Sequence, residues 1–388
     1  MSIPARAKEW AGRVALVGGS VLVALLLVES ALRLFSPVEF RVRGDEITLP
    51  ANVSVTYYPG HPDLEPSVTV RRNRLGLRGP ELVDRTGRGL SILTVGGSTT
   101  ESSYFRHERS WPGQLAARLS ENFGSVWLNN AGLDGHSTFG HVVLLRDHLV
   151  ALNPDVIVFL IGVNDIGLDR PQRFDRDQVN SLGLSSPKQF VRSLAKFSDV
   201  AALTLNGWRT FAAWRQGLLR GQTPSVNVGD ASTRRALPPS PARVQELTRS
   251  ELLEGFASRI FELIALCDRN GIYPIVVTQP FVAADRQVDR TYEGMSGLTA
   301  AENWHVLEAY NDVTRSVVGA RNASLVDLAS LMPHRRAYFT DLIHFSQAGA
   351  NEVARLLYAK LCSILAAEFP GELRVACQGN AGSLKPFP

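Results

Sequence analysis

The chain has 388 residues, 45% of them hydrophobic, enough to bury a large core in one sizeable domain with additions, or in two domains. Its 41 Lys and Arg against 37 Asp and Glu leave a net charge of +4. No basic run is interleaved with aromatics, so nothing points to nucleic acid. The three cysteines, Cys267, Cys362 and Cys377, have neither metal-ligand spacing nor the spacing of a disulfide framework. Cys267 and Cys362 fall in apolar helical patterns and read as core; a Cys362–Cys377 bridge stays open.

Residues 1–13 carry Arg6, Lys8 and Arg13 beside Trp10 and read as a cytoplasmic N-terminus. Residues 14–27 are almost wholly apolar, and the pattern runs on to Leu34 and Phe35 before Pro37. The clean apolar stretch is short of the roughly 20 residues that a span needs. It reaches that length by taking in Glu29, Ser30 and Arg33 near the exit, where long side chains snorkel. A signal peptide, a signal anchor and a buried core helix all fit such a run. No small-x-small cleavage site follows it cleanly. The favoured expectation is an uncleaved single-pass transmembrane anchor over 14–35, with the rest of the chain extracytoplasmic, periplasmic or extracellular.

Residues 36–89 are rich in Pro, Gly and β-branched residues and have no helical period. They read as an extended lead-in, with strand-like segments at 53–58 and 68–72 and a structured turn at 73–81. From residue 90 strand and helix alternate. Apolar strands are predicted at 91–95, 126–129, 156–161, 273–278 and 324–328, and helices at 111–123, 142–152, 243–270, 300–319 and 346–369. Five apolar strands with intervening helices predict a parallel sheet covered on both faces, an α/β fold wound as a three-layer sandwich. Residues 166–245 interrupt the rhythm as an insertion. Within it, 169–177 read as a solvated loop, 187–220 as a helical pair carrying Trp208, Phe211, Trp214 and Leu218, and 221–243 as a loop. The pair reads as packed on the domain, as a lid, or as a basic aromatic helix at a membrane surface. Residues 370–388 form a tail.

Ligands of such sheets bind beyond the carboxyl ends of the strands. The first strand ends in Gly96-Gly97-Ser98-Thr99-Thr100-Glu101, a glycine turn into a helix start that lifts one hydroxyl above the sheet and faces it with helix N–H groups. The turn has neither the G-x-G-x-x-G of dinucleotide sites nor the Gly-Lys of a P-loop. The second strand ends at Gly132, whose bare N–H can approach an oxyanion, and the third at Asn164, an amide donor. After the fifth, Asp341 precedes His344 by three residues, a spacing that brings a carboxylate to one imidazole nitrogen while the other faces the serine. Each feature alone has a plainer reading: a helix cap, a turn glycine, a strand-end cap, a backbone-bonded histidine. Their joint occurrence at strand ends does not.

With these blocks the chain resembles the SGNH (GDSL-like) hydrolase family. Gly96-Gly97-Ser98-Thr99-Thr100 is similar to its first block and residues 129–132 to its second. Gly162-Val163-Asn164-Asp165 is similar to the third, and Asp341-Leu342-Ile343-His344 to the last. The resemblance covers about residues 90–369. It implies a flavodoxin-like three-layer α/β/α sandwich with a five-stranded parallel sheet, a Ser98–His344–Asp341 triad, and an oxyanion hole from the Ser98 and Gly132 N–H groups and the Asn164 amide. Gly97 stands where many members carry Asp, which sets the chain apart from the best-known lipases and beside bacterial GGSTT members with an N-terminal membrane helix. His136, in Gly135-His136-Ser137-Thr138, reads as part of a polar turn and stays outside the catalytic set.

The implied activity is that of a serine esterase acting through an acyl-enzyme on O-acyl esters, O-acetyl groups of carbohydrate or cell-envelope polymers foremost. No metal and no organic cofactor is implied. The expected partners are a small-molecule or carbohydrate ester and, through the N-terminal helix, the membrane. An O-acyltransferase with the same triad and a non-catalytic carbohydrate-binding or assembly subunit on the same fold are the alternatives.

Overall fold

The structure, a computed structural model, describes residues 5–35, 42–43, 46–47, 49, 51–61, 64–82, 89–171, 187–215, 239–282, 298–321 and 323–377. Residues 172–177, 216–238 and 378–388, which hold much of the expected loops, the end of the helical pair and most of the tail, lie outside them, as does much of 36–89. The chain divides into two compact units. One comprises Met1–Pro50 with Gln178–Gly221, the other Ala51–Asp177 with Gln222–Pro388.

In chain order the described elements used below begin with α1 (Ala5–Phe35), then β1 (Ser54–Tyr57), β2 (Val68–Arg71), β3 (Leu90–Gly96) and α2 (Ser98–Glu101). Next come α3 (Trp111–Leu119), β4 (Val126–Asn130), α4 (Thr138–Leu144), β5 (Val156–Ile161), α5 (Pro187–Phe197) and α6 (Asp199–Arg215). The second half holds α7 (Pro241–Leu247), α8 (Ser250–Arg269), β6 (Tyr273–Thr278), α9 (Ala300–Gly319), β7 (Ser324–Val326), α10 (Leu328–Leu331) and α11 (Gln347–Glu368).

The larger unit is a five-stranded sheet in the order β4-β3-β5-β6-β7, parallel throughout. Ile92 of β3 lies opposite Val156 of β5, and Val156 opposite Tyr273 of β6. Every residue of β3 and β5 is buried, which is why both read as continuous apolar runs and not as alternating ones. α3 and α11 pack together on one face, and α4, α8 and α9 pack on the other. The order reverses direction between β3 and β5, so the loops after β3, β4 and β5 converge on one crevice at the carboxyl edge. β1 and β2, within the segments expected to be extended, pair antiparallel with Val55 opposite Val70.

Several helices differ in extent from the pattern. The run over 243–270 is two helices, α7 and α8. Thr248 closes α7 with its Oγ1 donating to the Val244 carbonyl, and Arg249 is extended, at φ −56° and ψ 146°. Such a break depends on a hydroxyl competing for a backbone carbonyl, a choice that apolar spacing does not encode. The helix expected from residue 142 begins at Thr138, because Ser137 caps it by accepting from the Phe139 N–H. The last strand stops at Val326, where Asp327 starts α10. Ser346 caps α11 through Gly349 N–H, as its position before the apolar period predicts. Cys362 and Cys377 are joined in a disulfide, and Cys267 is a buried free thiol.

The smaller unit contains α1, α5 and α6. Within Gly12–Phe35 of α1 an 18-residue window has a mean hydropathy of 2.2, and none of that window is buried. It is long and apolar enough to cross a membrane, as an anchor or as a signal sequence.

Candidate active site

β3 ends in two glycines for steric reasons. A Cβ on Gly97 would stand 2.2 Å from Asn164 Nδ2, and one on Gly96 would stand 2.2 Å from Thr100 Oγ1. Only bare backbone lets the chain turn here into α2 with Ser98 at its first position. α2 is four residues long and ends at Ser102 in the left-handed region, φ 51°. It is held from behind by the indole of fully buried Trp111, whose Nε1 donates to the Thr99 carbonyl at 2.9 Å. Ser98 itself is half-buried, and its N–H has no partner among the described residues.

His344 meets Ser98 directly, with Nε2 and Oγ 2.8 Å apart. Its Nδ1 lies 2.5 Å from Asp341 Oδ2. The other Asp341 oxygen accepts from the Ile343 and His344 N–H groups at 2.8 and 2.7 Å, so the three-residue spacing closes a tight turn around the carboxylate. Burial pushes the Asp341 carboxyl up, but the His344 charge and these hydrogen bonds outweigh it and hold it at about 2. The ionised carboxylate only accepts, so Nδ1 carries the imidazole proton and Nε2 accepts from the Ser98 hydroxyl. For His344 burial pulls the pKa down, while the charge and hydrogen bond of Asp341 and the charge of Asp134 raise it; the net is a rise above the ordinary 6.5. Tyr104 stands edge-on to the imidazole, ring centroids 6.5 Å apart.

Asn164 lies in the short turn Val163–Asp165 after β5, which Gly162 enters at φ 127°. Its Nδ2 donates one proton to the His136 carbonyl at 2.9 Å and stands against Gly97, one residue before Ser98. Gly132 is not brought in as an open donor. Its N–H donates to Asn130 Oδ1 at 2.8 Å, and a Cβ there would stand 2.4 Å from Glu101 N, so its bareness serves the close packing of this turn on α2. Three residues on, Gly135 adopts φ 73°, and its N–H has no partner among the described residues. The neighbouring His136 carbonyl lies 3.3 Å from where a Gly97 Cβ would be, which puts this turn beside Ser98. In sequence Gly132 and Gly135 are alike; only the positive φ and the Asn130 contact separate them.

The supporting contacts are not readable in the sequence, although Glu101, Thr138 and Asp165 lie in or beside its blocks. Asp165, 1% exposed, accepts from the Thr138 N–H at 3.1 Å, from the Thr138 hydroxyl at 2.5 Å and from Arg259 Nη2 at 3.3 Å. Arg259 Nε also donates to Thr138 Oγ1 at 2.7 Å, and its guanidinium lies 3.8 Å over the Phe139 ring. Glu101 accepts from the Asp134 N–H and from Arg72, both at 2.6 Å, and so ties the 132–135 turn to α2. Among the described residues no three His, Cys, Asp or Glu side chains converge as a metal site.

The arrangement is that of a polarised hydroxyl with an imidazole acceptor and nearby unengaged amide protons, the requirements of acyl transfer. A search of curated proteins returns no match. Among solved structures the chain is similar to the lipase/acylhydrolase from Enterococcus faecalis, at 15% identity and a TM-score of 0.41, covering 74% of this chain and 97% of that one. It is likewise similar to a lipolytic protein of the G-D-S-L family from Desulfitobacterium hafniense, at 12% identity and 0.38, covering 69% and 96%. A catalytic mutant of Axe2, an acetylxylan esterase from Geobacillus stearothermophilus, stands at 14% and 0.39, covering 70% and 93%. The sequence profile of the GDSL-like Lipase/Acylhydrolase family matches residues 94–351, well over half of the chain and including all five expected site residues. The chain therefore belongs to the GDSL-like lipase/acylhydrolase family, as an enzyme that hydrolyses esters.

Proposed function

We propose that the protein is a membrane-anchored serine esterase that removes O-acyl groups, O-acetyl foremost, from carbohydrate or cell-envelope polymers outside the cytoplasm. The observation that carries this reading is the unbroken chain of hydrogen bonds from Asp341 through His344 to Ser98 Oγ, at 2.5 and 2.8 Å. Ser98 Oγ attacks the ester carbonyl carbon while its proton passes to His344 Nε2. Asp341 holds the imidazolium that results. Collapse of the tetrahedral adduct breaks the bond to the alcohol, which leaves with the proton from Nε2. Water then attacks the acyl-Ser98 carbon, gives its proton to the same nitrogen, and the acid departs as Ser98 is restored. The developing oxyanion is met by the Ser98 N–H, by the second Asn164 amide proton and by the Gly135 N–H, which takes the place first expected of Gly132.

The compartment is supported by the Cys362–Cys377 disulfide, a bond that persists in oxidising surroundings. The basic residues Arg6, Lys8 and Arg13, ahead of the apolar run that begins at Val14, favour a cytoplasmic N-terminus and thus an exported catalytic domain. Retention of α1 is supported by Glu29, which is engaged by residues 198–200 far along the chain.

The test is hydrolysis by the purified full chain of p-nitrophenyl acetate and of an acetylated oligosaccharide. Wild-type protein should release acetate from both, and Ser98→Ala should lose that activity at an unchanged melting temperature. Equal turnover in Ser98→Ala would remove the serine from the chemistry.

A further inference from the structure

The helical insertion has a face that the ester chemistry does not use. α5 and α6 meet at Ser198 and pack on each other through fully buried Ala195 and Ala202. Phe190, Val191, Leu194 and Phe197 of α5 are left exposed, Phe190 at 66% and Phe197 at 75%. Their spacing puts them on one stripe of a helix. The same segment, Pro187–Phe197, has Lys188, Arg192 and Lys196 at four-residue intervals and no acidic residue. A soluble surface rarely shows such a stripe, whereas helices lying in a bilayer interface combine these two features.

The junction of the two helices is clipped to α1. Glu29 Oε2 accepts from Ser198 Oγ at 2.8 Å and from the Val200 N–H at 3.0 Å, and Oε1 accepts from the Asp199 N–H at 2.9 Å. Arg33 Nε donates to Glu29 at 2.8 Å, and its Nη2 donates to the Phe197 carbonyl at 2.5 Å. Glu29, the one acidic residue of the 14–35 stretch, thus meets the N-terminal N–H groups of α6 and is not left bare in hydrocarbon. Glu29 lies six residues before Phe35, the end of α1, which at 1.5 Å per residue is ~9 Å of helix. That is the depth of the headgroup boundary at the exit side of a helix that spans.

We infer that α5 is an interfacial helix: its Phe190, Val191, Leu194 and Phe197 face enters the leaflet at the Phe35 end of α1, the net positive charge of its sequence favours anionic phospholipid, and the Glu29–Ser198 clip sets its depth. The inference rests on the reading of α1 as a retained anchor. Its occupant is the bilayer itself, because the exposed stripe belongs to the same unit as the unburied apolar surface of α1.

The test uses the full chain in nanodiscs of phosphatidylcholine with phosphatidylglycerol. The native cysteines do not compete for label, since Cys267 is buried and the other two are paired. Single cysteines are introduced as Phe190→Cys, Leu194→Cys, Lys196→Cys and, in the anchor, Leu22→Cys, each labelled with nitrobenzoxadiazole and checked for retained ester hydrolysis. Probes at 190 and 194 should be blue-shifted, quenched by lipids spin-labelled near the headgroup severalfold more than the probe at 196, and protected from iodide. The Leu22 probe should be quenched by lipids labelled deep in the chain. Quenching at 22 with iodide-exposed probes at 190 and 194 overturns the inference and leaves the anchor standing. Loss of quenching at 22 as well overturns the anchor reading itself. Probes at 190 and 194 shielded from both lipid and iodide place protein on the stripe and also overturn the inference. Undiminished quenching in pure phosphatidylcholine removes the anionic headgroup from it.

Discussion

At the residue scale, the proposed chemistry divides between proton transfer and charge stabilisation. Asn164 serves the second. One of its amide protons is fixed on the His136 carbonyl, which aims the other beside Ser98. Such a donor strengthens its bond as charge develops, so its loss typically costs about 10²–10³ in turnover, or ~2.7–4 kcal/mol. Asn164→Ala should therefore lower kcat by that order on an acetyl ester, with KM little changed. A variant that melts earlier yet keeps its kcat would make Asn164 a structural cap only. His344 serves proton transfer, and it must be neutral to accept from Ser98. Its pKa is raised above 6.5, chiefly by Asp341 acting against burial. The rate of acylation should consequently rise with pH through a midpoint above that of a free imidazole. Asp341→Asn removes the raising charge, so the midpoint should fall as turnover falls. A pH–kcat/KM profile with the same midpoint in both proteins would dissociate Asp341 from His344.

At the scale of elements, the site is a set of strand ends kept in place by side chains distant in sequence. Arg259 on α8 and Thr138 on α4 hold Asp165 and so the turn that presents Asn164. Removing one partner of a buried ion pair costs about 3–5 kcal/mol, because the other charge is left unmatched. Arg259→Ala should cost stability of that order, read as a lower melting temperature, and lower kcat with it, as the Asn164 turn loosens. A melting temperature equal to wild type would show that Arg259 is not needed to hold Asp165. This network also explains what the sequence hid. β3 and β5 were legible because a strand buried on both faces is predominantly apolar, with no polar alternation, even though β3 buries Ser91 and Thr94. Asp341 and His344 were legible because their partnership is local, three residues apart. Arg259 and Asp165 are 94 residues apart, and nothing in either neighbourhood announces the other. Gly132 and Gly135 differ by a backbone angle and one amide contact, neither of which a glycine in sequence reveals. The break between α7 and α8 was hidden for a similar reason, since Thr248 fits a helical period as well as it ends one.

At the scale of the molecule, two units do two kinds of work. The larger is an ester-hydrolysing α/β domain, closed near its end by the bridge from α11 to Cys377. The smaller joins an apolar helix to the α5–α6 pair through one carboxylate. Under the proposed function this arrangement keeps a serine esterase at a membrane surface, near polymers that carry acyl groups. The whole reading depends on Ser98 being an activated nucleophile. The measurement that tests this most directly is peptide mapping by mass spectrometry after reaction of the folded full chain with a fluorophosphonate. The account predicts one covalent adduct, on Ser98, absent from Ser98→Ala and strongly slowed in a His344→Ala variant that still folds. An unlabelled Ser98 in folded protein, or an adduct on another residue, would contradict it.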